Sequence, residues 1–453
     1  MKATLARIKQ EEAELHSDKP FQAALELDCE QSMTPLVTSF VENAATCYGL
    51  DPADALDLTL SSEEIFTYLC SQGDHGEKVR IGCRYGAYFV ELEFQFKADD
   101  FDLAAFNLTA THSLSCGEPN EETGLLIASR LVDRFSFSRK GGVSTLLMIK
   151  EKSYPHIQEE EPPQPKILGD IFIRRPDPEE LKLFVRQVRR YYDPCVTPLS
   201  FETPGKVVDM EAFGTYSIAI ATDKSGTTGG GIIWTWESDK LVEFFGPYVM
   251  DQSREFHIPQ KLIEHMIGSI ARTSAVGLIT RSASPELRTE YFQPMGNLIF
   301  MDLELTSCER NCYYRHLQED TGTSVWAHPL VKSFLEAEYE RSFFAREIHT
   351  VTDEGEKSHL KSVIAADIVR ETATAVLRPV WWGQDDSNLI ETYVSTLLNE
   401  RLFNIFFEMD LGRSWELHFT PGLLERGFQP RIVLPYAGTS DILILQYSGK
   451  VEV

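Results

Sequence analysis

The spacing of apolar residues divides the first 153 residues into helical and extended stretches. Apolar residues recur three and four positions apart over residues 34–48 and 53–70, and this spacing predicts two amphipathic helices. Alternation of apolar and polar residues predicts two strand pairs, 78–83 with 88–96 and 134–139 with 143–149. Helices on one face of a mostly antiparallel sheet form an α/β sandwich, which is the fold we predict for this part.

At residue 167 the pattern changes to an alternation of strands and helices. Asp177 and Pro178 are typical of the N-cap and the first position of a helix, here predicted over 178–192. A further helix is predicted over 259–272, and strands are predicted at 167–174, 216–222, 231–237, 241–249 and 276–281. A related order returns after Pro329. We therefore predict an α/β (α+β) chain whose N-terminal sandwich is followed by two mixed-sheet domains related by duplication.

Two stretches are predicted to separate the domains. Three glutamates run into three prolines between residues 159 and 165, which is typical of a stiff linker, here 154–166. Apolar periodicity also fades between residues 305 and 320. The predicted domains are therefore 1–153, 167–320 and 321–453.

The composition limits the classes of partner. The chain has 453 residues and a formal net charge of −26, so phosphate-rich partners would be repelled. We therefore expect neither nucleic acid nor a membrane surface as the main partner. The first 19 residues carry no apolar central region of a signal peptide, and the eight cysteines follow no disulfide spacing. We expect a soluble cytoplasmic protein with reduced thiols.

Three short segments of the N-terminal part carry the first resemblance. They are Glu64-Ile65-Phe66-Thr67-Tyr68, Phe96-Lys97-Ala98 followed by Phe101-Asp102, and Glu122-Thr123-Gly124-Leu125. In order and spacing they resemble the histidine-kinase-type ATPase fold, in its anti-sigma-factor serine-kinase branch. The resemblance implies that Glu64 stands at the catalytic base and Gly124 in a vestigial nucleotide loop. It also implies Tyr68 in place of the magnesium ligand and Phe96 in place of the adenine-binding aspartate.

These replacements change the expected chemistry of the N-terminal part. An aromatic ring cannot replace an amide ligand of magnesium or a carboxylate acceptor, and Glu122 would repel a triphosphate. ATP and magnesium are therefore not expected to bind, and kinase or ATPase activity is not expected. The resemblance instead implies a protein partner of the sigma-factor or anti-sigma-antagonist type, bound by residues 63–68 and 99–122.

The segment from Val242 to Lys261 carries the second resemblance. Val242-Glu-Phe-Phe-Gly-Pro-Tyr-Val249 followed by Arg254 resembles the central strand and phosphate loop of the GNAT acyltransferase superfamily. The glycines of that loop are replaced by His257 and Pro259, which limits the approach of a phosphate. The resemblance implies acetyl-CoA or another acyl-CoA as ligand, with its pantetheine on the main chain of the splayed strand. The candidate contacts are Val249, Arg254, Gln260 and Lys261.

The end of each predicted copy resembles the helix-to-strand turn of the same superfamily. The two turns are Gln293-Pro294-Met295-Gly296 and Leu424-Glu-Arg-Gly427-Phe428. Active members of the superfamily place a tyrosine general acid four residues before this glycine, where the chain has Phe292 and Leu423. Tyr291 is adjacent, and a register shift would make it the candidate acid.

Two further clusters allow a functional and a structural interpretation. Trp381, Trp382, Asp385 and Asp386 lie between a predicted strand and a predicted helix, and would form a cage for a cationic ligand. The alternative, which we favour, is that Trp381 packs in the core and the carboxylates cap the helix. Cys308, Cys312 and His316 recur every four residues, which predicts one helical face. They lack a fourth ligand, so no metal site is expected.

Two functions from different classes remain. The preferred hypothesis is a bacterial regulatory or sensory protein with a partner-binding N-terminal part and a ligand-binding tandem half. The alternative is an acyl-CoA-dependent N-acyltransferase.

Overall fold

An antiparallel sheet and two helices build the N-terminal part. The computed structural model describes residues 21–72, 78–97, 128, 130–140, 143–156, 170–250, 257–302, 304–355 and 359–449. The N-terminal sheet has the order β1-β2-β3-β5-β4, with strands Ala23–Asp28, Lys78–Tyr85, Phe89–Lys97, Arg134–Lys140 and Val143–Glu151 in chain order. Helices α1 (Thr34–Cys47) and α2 (Pro52–Gln72) contribute buried Val37, Val41, Leu58 and Phe66 to one core with the sheet. The predicted sandwich is confirmed, and β1 is an additional strand.

The central sheet has seven strands in the order β11-β12-β10-β9-β8-β7-β6. Their bounds, from β6 to β12, are Phe172–Arg174, Ser217–Thr222, Thr228–Trp236, Leu241–Val249, Gly277–Thr280, Gln293–Met301 and Ser307–His316. Helices α3 (Pro178–Tyr191) and α4 (Pro204–Phe213) cover one face, where Phe184 and Val207 pack on Ile220 and Tyr248. Helix α5 (Ile258–Ile270) covers the other face. The sheet is therefore covered by helices on both faces.

The start of α3 follows the sequence prediction. The Asp177 carboxylate accepts hydrogen bonds from the main-chain N–H groups of Glu179 and Glu180, and the Glu180 side chain accepts one from the N–H of Asp177. This reciprocal capping satisfies donors that the first turn leaves unpaired. Helix α3 ends at Tyr191, and the next residue, Tyr192, contacts the sheet.

The C-terminal sheet repeats part of this arrangement. Its order is β15-β16-β17-β19-β18, with strands Val363–Val369, Thr374–Trp381, Asn404–Asp410, Phe428–Leu434 and Ile442–Tyr447 in chain order. This is the order of β8-β9-β10-β12-β11, and α7 (Asp386–Asn399) joins the parallel pair as α5 does. A parallel pair, β13 (Thr323–Ala327) and β14 (Arg346–Thr350), is joined by α6 (Pro329–Ser342), and α8 (Thr420–Glu425) precedes β18. The mixed α/β class is thus confirmed, while the exact domain boundaries stay a prediction.

Side-chain amides join the central and C-terminal sheets. Strand β11 is an edge strand, paired only with β12. The Asn404 amide accepts from the N–H of Met301 at 2.7 Å and donates to its carbonyl at 2.8 Å. The Gln446 amide bonds in the same way to the N–H and carbonyl of Ile299. The unpaired edge of β11 is therefore satisfied by the neighbouring sheet.

The N-terminal part contacts both of the other sheets. The Tyr154 hydroxyl donates to Asp209 of α4 at 2.5 Å, and Lys206 pairs with Glu151. On the other side, Arg130 pairs with Glu400, which follows α7. The three sheets are thus held together by polar contacts as well as by apolar packing.

The helical prediction for Cys308, Cys312 and His316 is wrong. All three lie on strand β12, which pairs antiparallel with β11 and β10. A spacing of four residues keeps side chains on one face of a strand as well as of a helix, so that spacing did not separate the two. Within the described residues, no group of three or more His, Cys, Asp or Glu side chains could hold a metal ion.

Candidate functional site

The parallel strands β9 and β10 begin together and then part. They pair only where Leu241, Val242 and Glu243 face Gly277, Leu278 and Ile279. Beyond that point regular pairing stops, although an isolated bridge still joins Gly246 to Ala283. Gly246 has φ +95°, and an added Cβ would lie 2.9 Å from the main-chain N of Tyr248, so a glycine is required there. We call the gap beyond Glu243 and Ile279 the central groove.

One tyrosine hydroxyl forms hydrogen bonds with the main chain along this groove. The Tyr192 hydroxyl accepts from the N–H of Val249 at 2.6 Å and donates to the carbonyl of Val249 at 3.1 Å. The next carbonyl along the groove, that of Pro247, accepts from the Ser284 hydroxyl at 2.8 Å. Val249 is the residue predicted to hold pantetheine. Its two main-chain groups are both engaged by the chain itself.

Tyr192 directly follows α3 and is held in place by its neighbours. Its N–H donates to the carbonyl of Val188, and its ring meets the Tyr248 ring edge-on at 4.9 Å. The Tyr248 hydroxyl in turn donates to the carbonyl of Val196 at 2.7 Å. Residues 192–196, which we call the plug segment, therefore lie over the central groove.

A disulfide anchors the plug segment to β12. Cys195 pairs with Cys308, with 6.6 Å between their Cα atoms and 113 residues between them in sequence. The expectation that all eight thiols are reduced is therefore wrong for these two. The spacing of cysteines along the chain carried no sign of the pair, because the fold brings distant segments together.

Titratable groups surround the central groove. Burial raises the pKa of Glu286 above its usual range, although a hydrogen bond with Tyr192 opposes part of that rise. Its Oε2 atom is buried and has no hydrogen-bond partner within the described residues. Burial lowers the pKa of Arg310, and the nearby Arg281 adds to this effect. Glu286 was not singled out from the sequence, since nothing around it repeats or forms a motif.

An ion pair marks the point where β9 and β10 part. Arg281 binds Glu243 through two contacts of 2.6 and 2.7 Å and lies 3.5 Å from Glu237. Burial lowers the pKa of Arg281, but the Glu243 and Glu237 carboxylates outweigh it and leave that pKa well above its ordinary value. The positively charged Arg281 side chain therefore lies at the start of the groove.

The start of α5 is the predicted phosphate position of the central groove. His257 is its N-cap, with φ 48° and no side-chain capping bond, and the first turn contains no acidic residue. The Gln260 amide donates to Glu264 at 2.7 Å, so this side chain lies along the helix. The N–H of Lys261 bonds to the carbonyl of His257. Arg254 lies outside the described residues.

The C-terminal sheet also has diverging parallel strands. Its pair β16 and β17 ends where Leu377 faces Phe407, and the C-terminal groove lies beyond these residues. Arg378 crosses it to Glu408 at 2.8 Å and also pairs with Asp367. Burial lowers the pKa of Arg378, but the Glu408 and Asp367 carboxylates outweigh it and raise that pKa overall. Each groove thus opens beside an arginine and a carboxylate, with the arginine on opposite strands of the pair.

The predicted cationic cage lies at the end of β16. The Trp381 ring lies 4.1 Å from the His359 ring, and the Trp382 ring stacks on His418 at 4.4 Å. Each tryptophan is thus already in contact with an imidazole of the same chain. The cage stays a prediction, and imidazoles stand where a cationic ligand was expected to stack.

The carboxylates beside these tryptophans have separate partners. Asp385 accepts from the N–H of Ser362 at 2.6 Å, and it makes no side-chain cap on α7. Asp386 accepts from the N–H of Ser387 at 2.7 Å and from the Trp382 ring nitrogen at 3.4 Å. Burial raises the pKa of Asp386. The start of α7 therefore carries two carboxylates, whereas the first turn of α5 carries none.

A buried carboxyl lies near the end of β17. Glu416 accepts from the N–H of Asp410 at 2.7 Å and from Arg413 at 3.2 Å. Burial raises the pKa of Glu416 to about 7. Burial, together with a smaller electrostatic effect of His418, lowers the pKa of His328. Sequence analysis missed both residues, because their burial depends on how β13, α6 and the turn after β17 meet.

The remaining predicted site residues do not lie together. Tyr68 and Phe96 are buried in the core of the N-terminal part, and Glu64 is half-buried on α2. Gly124 and Glu122 lie outside the described residues. Tyr291 is 56% exposed on a short turn before β11. Gln293, two residues later, is level with Ile279, but β12 lies between their two strands.

Comparisons with known proteins found similarity in solved structures. No protein-family model matches the chain, and no curated protein matches it by sequence. About a third of the chain is similar to an N-acetyltransferase from Staphylococcus aureus Mu50, with 15% identity, 33% of this chain and 100% of that chain covered, and a TM-score of 0.28. A GNAT superfamily phosphinothricin acetyltransferase from Sinorhizobium meliloti in complex with AcCoA is 18% identical, with 33% of this chain and 90% of that chain covered and a TM-score of 0.29. An aminoglycoside 6'-acetyltransferase type Ii is 14% identical, with 33% of this chain and 98% of that chain covered and a TM-score of 0.25.

These similarities have a limited reach. With identities below 25% and TM-scores below 0.5, they carry no conclusion about activity, ligand or partner. None of them concerns the N-terminal part as an anti-sigma-type module, so that resemblance stays a prediction. Separately, none of the helices within the described residues is long and apolar enough to cross a membrane.

Proposed function

We propose that this chain is a regulatory protein that binds an acyl-CoA in the central groove, where the ligand displaces Tyr192. The observation that carries the proposal is the double hydrogen bond between the Tyr192 hydroxyl and the main chain of Val249. A pantetheine arm contains amides, each with one donor and one acceptor. Such an amide matches the acceptor and donor that Val249 presents, as a strand added to a sheet edge would.

The diverging strands explain why the site suits a ligand. A strand that leaves its neighbour exposes N–H and C=O groups that need partners when buried. A hydroxyl on a loop satisfies them through hydrogen bonds alone, so another donor and acceptor pair can replace it. The absence of acidic residues from the first turn of α5 also favours binding of the phosphates of CoA near that helix start.

The C-terminal groove is a poorer match for the same ligand. Asp385 and Asp386 stand at the start of α7, where the phosphates of CoA would lie by analogy with α5. Like charges at that distance repel, and they cancel the favourable end of the helix dipole. We therefore assign acyl-CoA binding to the central groove alone.

The alternative function, an N-acyltransferase, is favoured by one observation. Glu286 combines a raised pKa with a buried oxygen that lacks a hydrogen-bond partner within the described residues, beside the hydroxyl that occupies the groove. A carboxylate with a raised pKa is suited to take a proton from an amine acceptor. Binding without transfer supports the regulatory function, and transfer that depends on Glu286 supports the enzyme.

Calorimetric titration with acetyl-CoA and with CoA tests the proposal. Loss of the competing hydroxyl in Tyr192→Phe is expected to tighten acetyl-CoA binding about tenfold, which corresponds to one hydrogen bond of about 1.4 kcal/mol. The adjacent Tyr191→Phe is the matched control, since Tyr191 is exposed and should leave the affinity unchanged. Equal affinities for wild type and Tyr192→Phe would refute displacement of Tyr192.

Release of the CoA thiol from acetyl-CoA, measured in the presence of a panel of amines, distinguishes the regulatory function from the N-acyltransferase. The regulatory protein is expected to bind acetyl-CoA and to release no thiol above background. Thiol release that is lost in Glu286→Gln, with acetyl-CoA binding retained, would establish the transferase instead. The protein partner predicted for the N-terminal part stays a separate proposal, with a sigma factor or an anti-sigma antagonist as the expected class.

A further inference from the structure

Three bonded contacts hold the plug segment over the central groove. Tyr192 bonds to the main chain of Val249, and Tyr248 bonds to the carbonyl of Val196. The third contact is covalent, the disulfide from Cys195 to Cys308. A ligand amide can replace the first contact, but no ligand can replace the third.

The disulfide is placed where a reductant can reach it. Both cysteines are partly exposed, and their neighbours Asp193, Pro194, Ser307 and Glu309 are exposed. Cys308 also lies on the part of β12 that extends past β10, because β12 pairs with β10 only through Tyr313–His316. Thiol–disulfide exchange needs access to a sulfur atom, and these positions provide it.

We propose that the Cys195–Cys308 disulfide is a redox-regulated latch that keeps the plug segment closed over the central groove. A protein or small-molecule dithiol reduces it: the S–S bond breaks, the two cysteines become thiols, and the dithiol is oxidised to a disulfide. Two electrons and two protons pass to the protein. The inference rests on the proposed function, since the groove that the latch closes is the one assigned to acyl-CoA.

The position of the bond explains why its loss matters. A cross-link between segments 113 residues apart restricts how far either can move, and the restriction disappears on reduction. Hydrogen bonds and the packing of the Tyr192 ring against Tyr248 then hold the segment, and none of these contacts is covalent. The closed form and the ligand-bound form come into competition, and acyl-CoA shifts the population towards the open form.

Two measurements on the full chain test the latch. The first is amide hydrogen exchange over residues 192–196 and at Val249, without acyl-CoA, in oxidised and dithiothreitol-reduced protein. We expect reduction to speed exchange at least tenfold there and to leave the core of the N-terminal sheet unchanged. The second is the affinity for acetyl-CoA, expected to rise at least tenfold on reduction. In the double variant Cys195→Ser/Cys308→Ser, the exchange rate and the acetyl-CoA affinity should match those of reduced wild type and should not change with dithiothreitol.

Cys47→Ser, which removes an exposed free thiol, is the control and should behave as wild type. Unchanged exchange on reduction, or the absence of a Cys195–Cys308 cross-link from peptide mass spectra of the oxidised protein, would overturn the latch. Faster exchange on reduction, with acetyl-CoA bound in neither state, would uphold the latch and refute the proposed ligand. The two failures are therefore distinguishable.

Discussion

The central and C-terminal grooves are built on the same strand order and yet differ in what fills them. In the central groove a hydroxyl, Tyr192, satisfies the main chain of β9, and the first turn of the following helix lacks acidic residues. An arginine lies beside each groove, Arg281 in the central sheet and Arg378 in the C-terminal sheet, but only the helix after the C-terminal groove starts with two carboxylates. The shared fold therefore supplies a gap between strands, while side chains decide its ligand.

Two ion-pair clusters, one in each copy, differ in how deeply they are buried. Arg281, beside the central groove, is 29% exposed, whereas Arg346 in the C-terminal copy is 0% exposed and pairs with buried Asp441 and Asp320. Aromatic rings of Tyr339, Phe344 and Tyr436 surround the Arg346 guanidinium. The Arg281 cluster thus stays within reach of water, whereas the Arg346 cluster is an internal anchor; Arg378, beside the C-terminal groove, is 46% exposed.

The largest effect is expected when the Arg346 guanidinium is removed. Arg346→Met leaves Asp441 and Asp320 buried without a cation, and should lower the free energy of unfolding by about 3–5 kcal/mol. Arg281→Met is the matched change in the central copy and should cost about 2 kcal/mol, because water reaches that site. Urea unfolding of both variants measures the difference. Equal losses would show that the two copies do not differ in burial of charge.

A pH titration sharpens the comparison at the C-terminal groove. The protonated form of Glu416 is favoured in the folded state, where its pKa is about 7 instead of the ordinary 4.5. Stability should therefore fall as pH rises from 4.5 through 7, by roughly 3 kcal/mol from this group. Glu416→Gln should remove that part of the pH dependence, as followed by urea midpoints between pH 4 and 8. A slope that persists in the variant would assign it to other groups, among them Glu286 of the central groove.

The smallest expected effect concerns the aromatic pair at the end of β16. His418→Gln removes the ring stacked on Trp382, and should lower the free energy of unfolding by about 0.5–1 kcal/mol. Trp382 emission should change with it, as identified by subtraction of Trp382→Phe. An unchanged emission spectrum would mean that the stack is not maintained in solution.

Local patterns were enough to predict much of the fold. The N-cap at Asp177, the helices α1, α2 and α5, and the strand pairs of the N-terminal sheet follow from capping chemistry and apolar period. Strand β12 was mistaken for a helix, since a spacing of four fits both. The duplication was visible as a repeated order of elements, because each copy must bury the faces of its own sheet.

The contents of the grooves could not be predicted in the same way. Tyr192 meets Val249 across 57 residues, and Cys195 meets Cys308 across 113. No local signal marks a hydroxyl that bonds to a distant main chain, or a cysteine whose partner arrives with another strand. The raised pKa of Glu286 and of Glu416 likewise follows from burial, which depends on the packing of segments remote in sequence.

The amides of Asn404 and Gln446 give the C-terminal copy a structural role that does not depend on its groove. They cover the free edge of β11, which would otherwise offer its main chain to another molecule. Deletion of the C-terminal copy would uncover that edge and favour polymerisation of what remains. The second copy thus completes the hydrogen bonding of Ile299 and Met301 at the edge of the first copy's sheet.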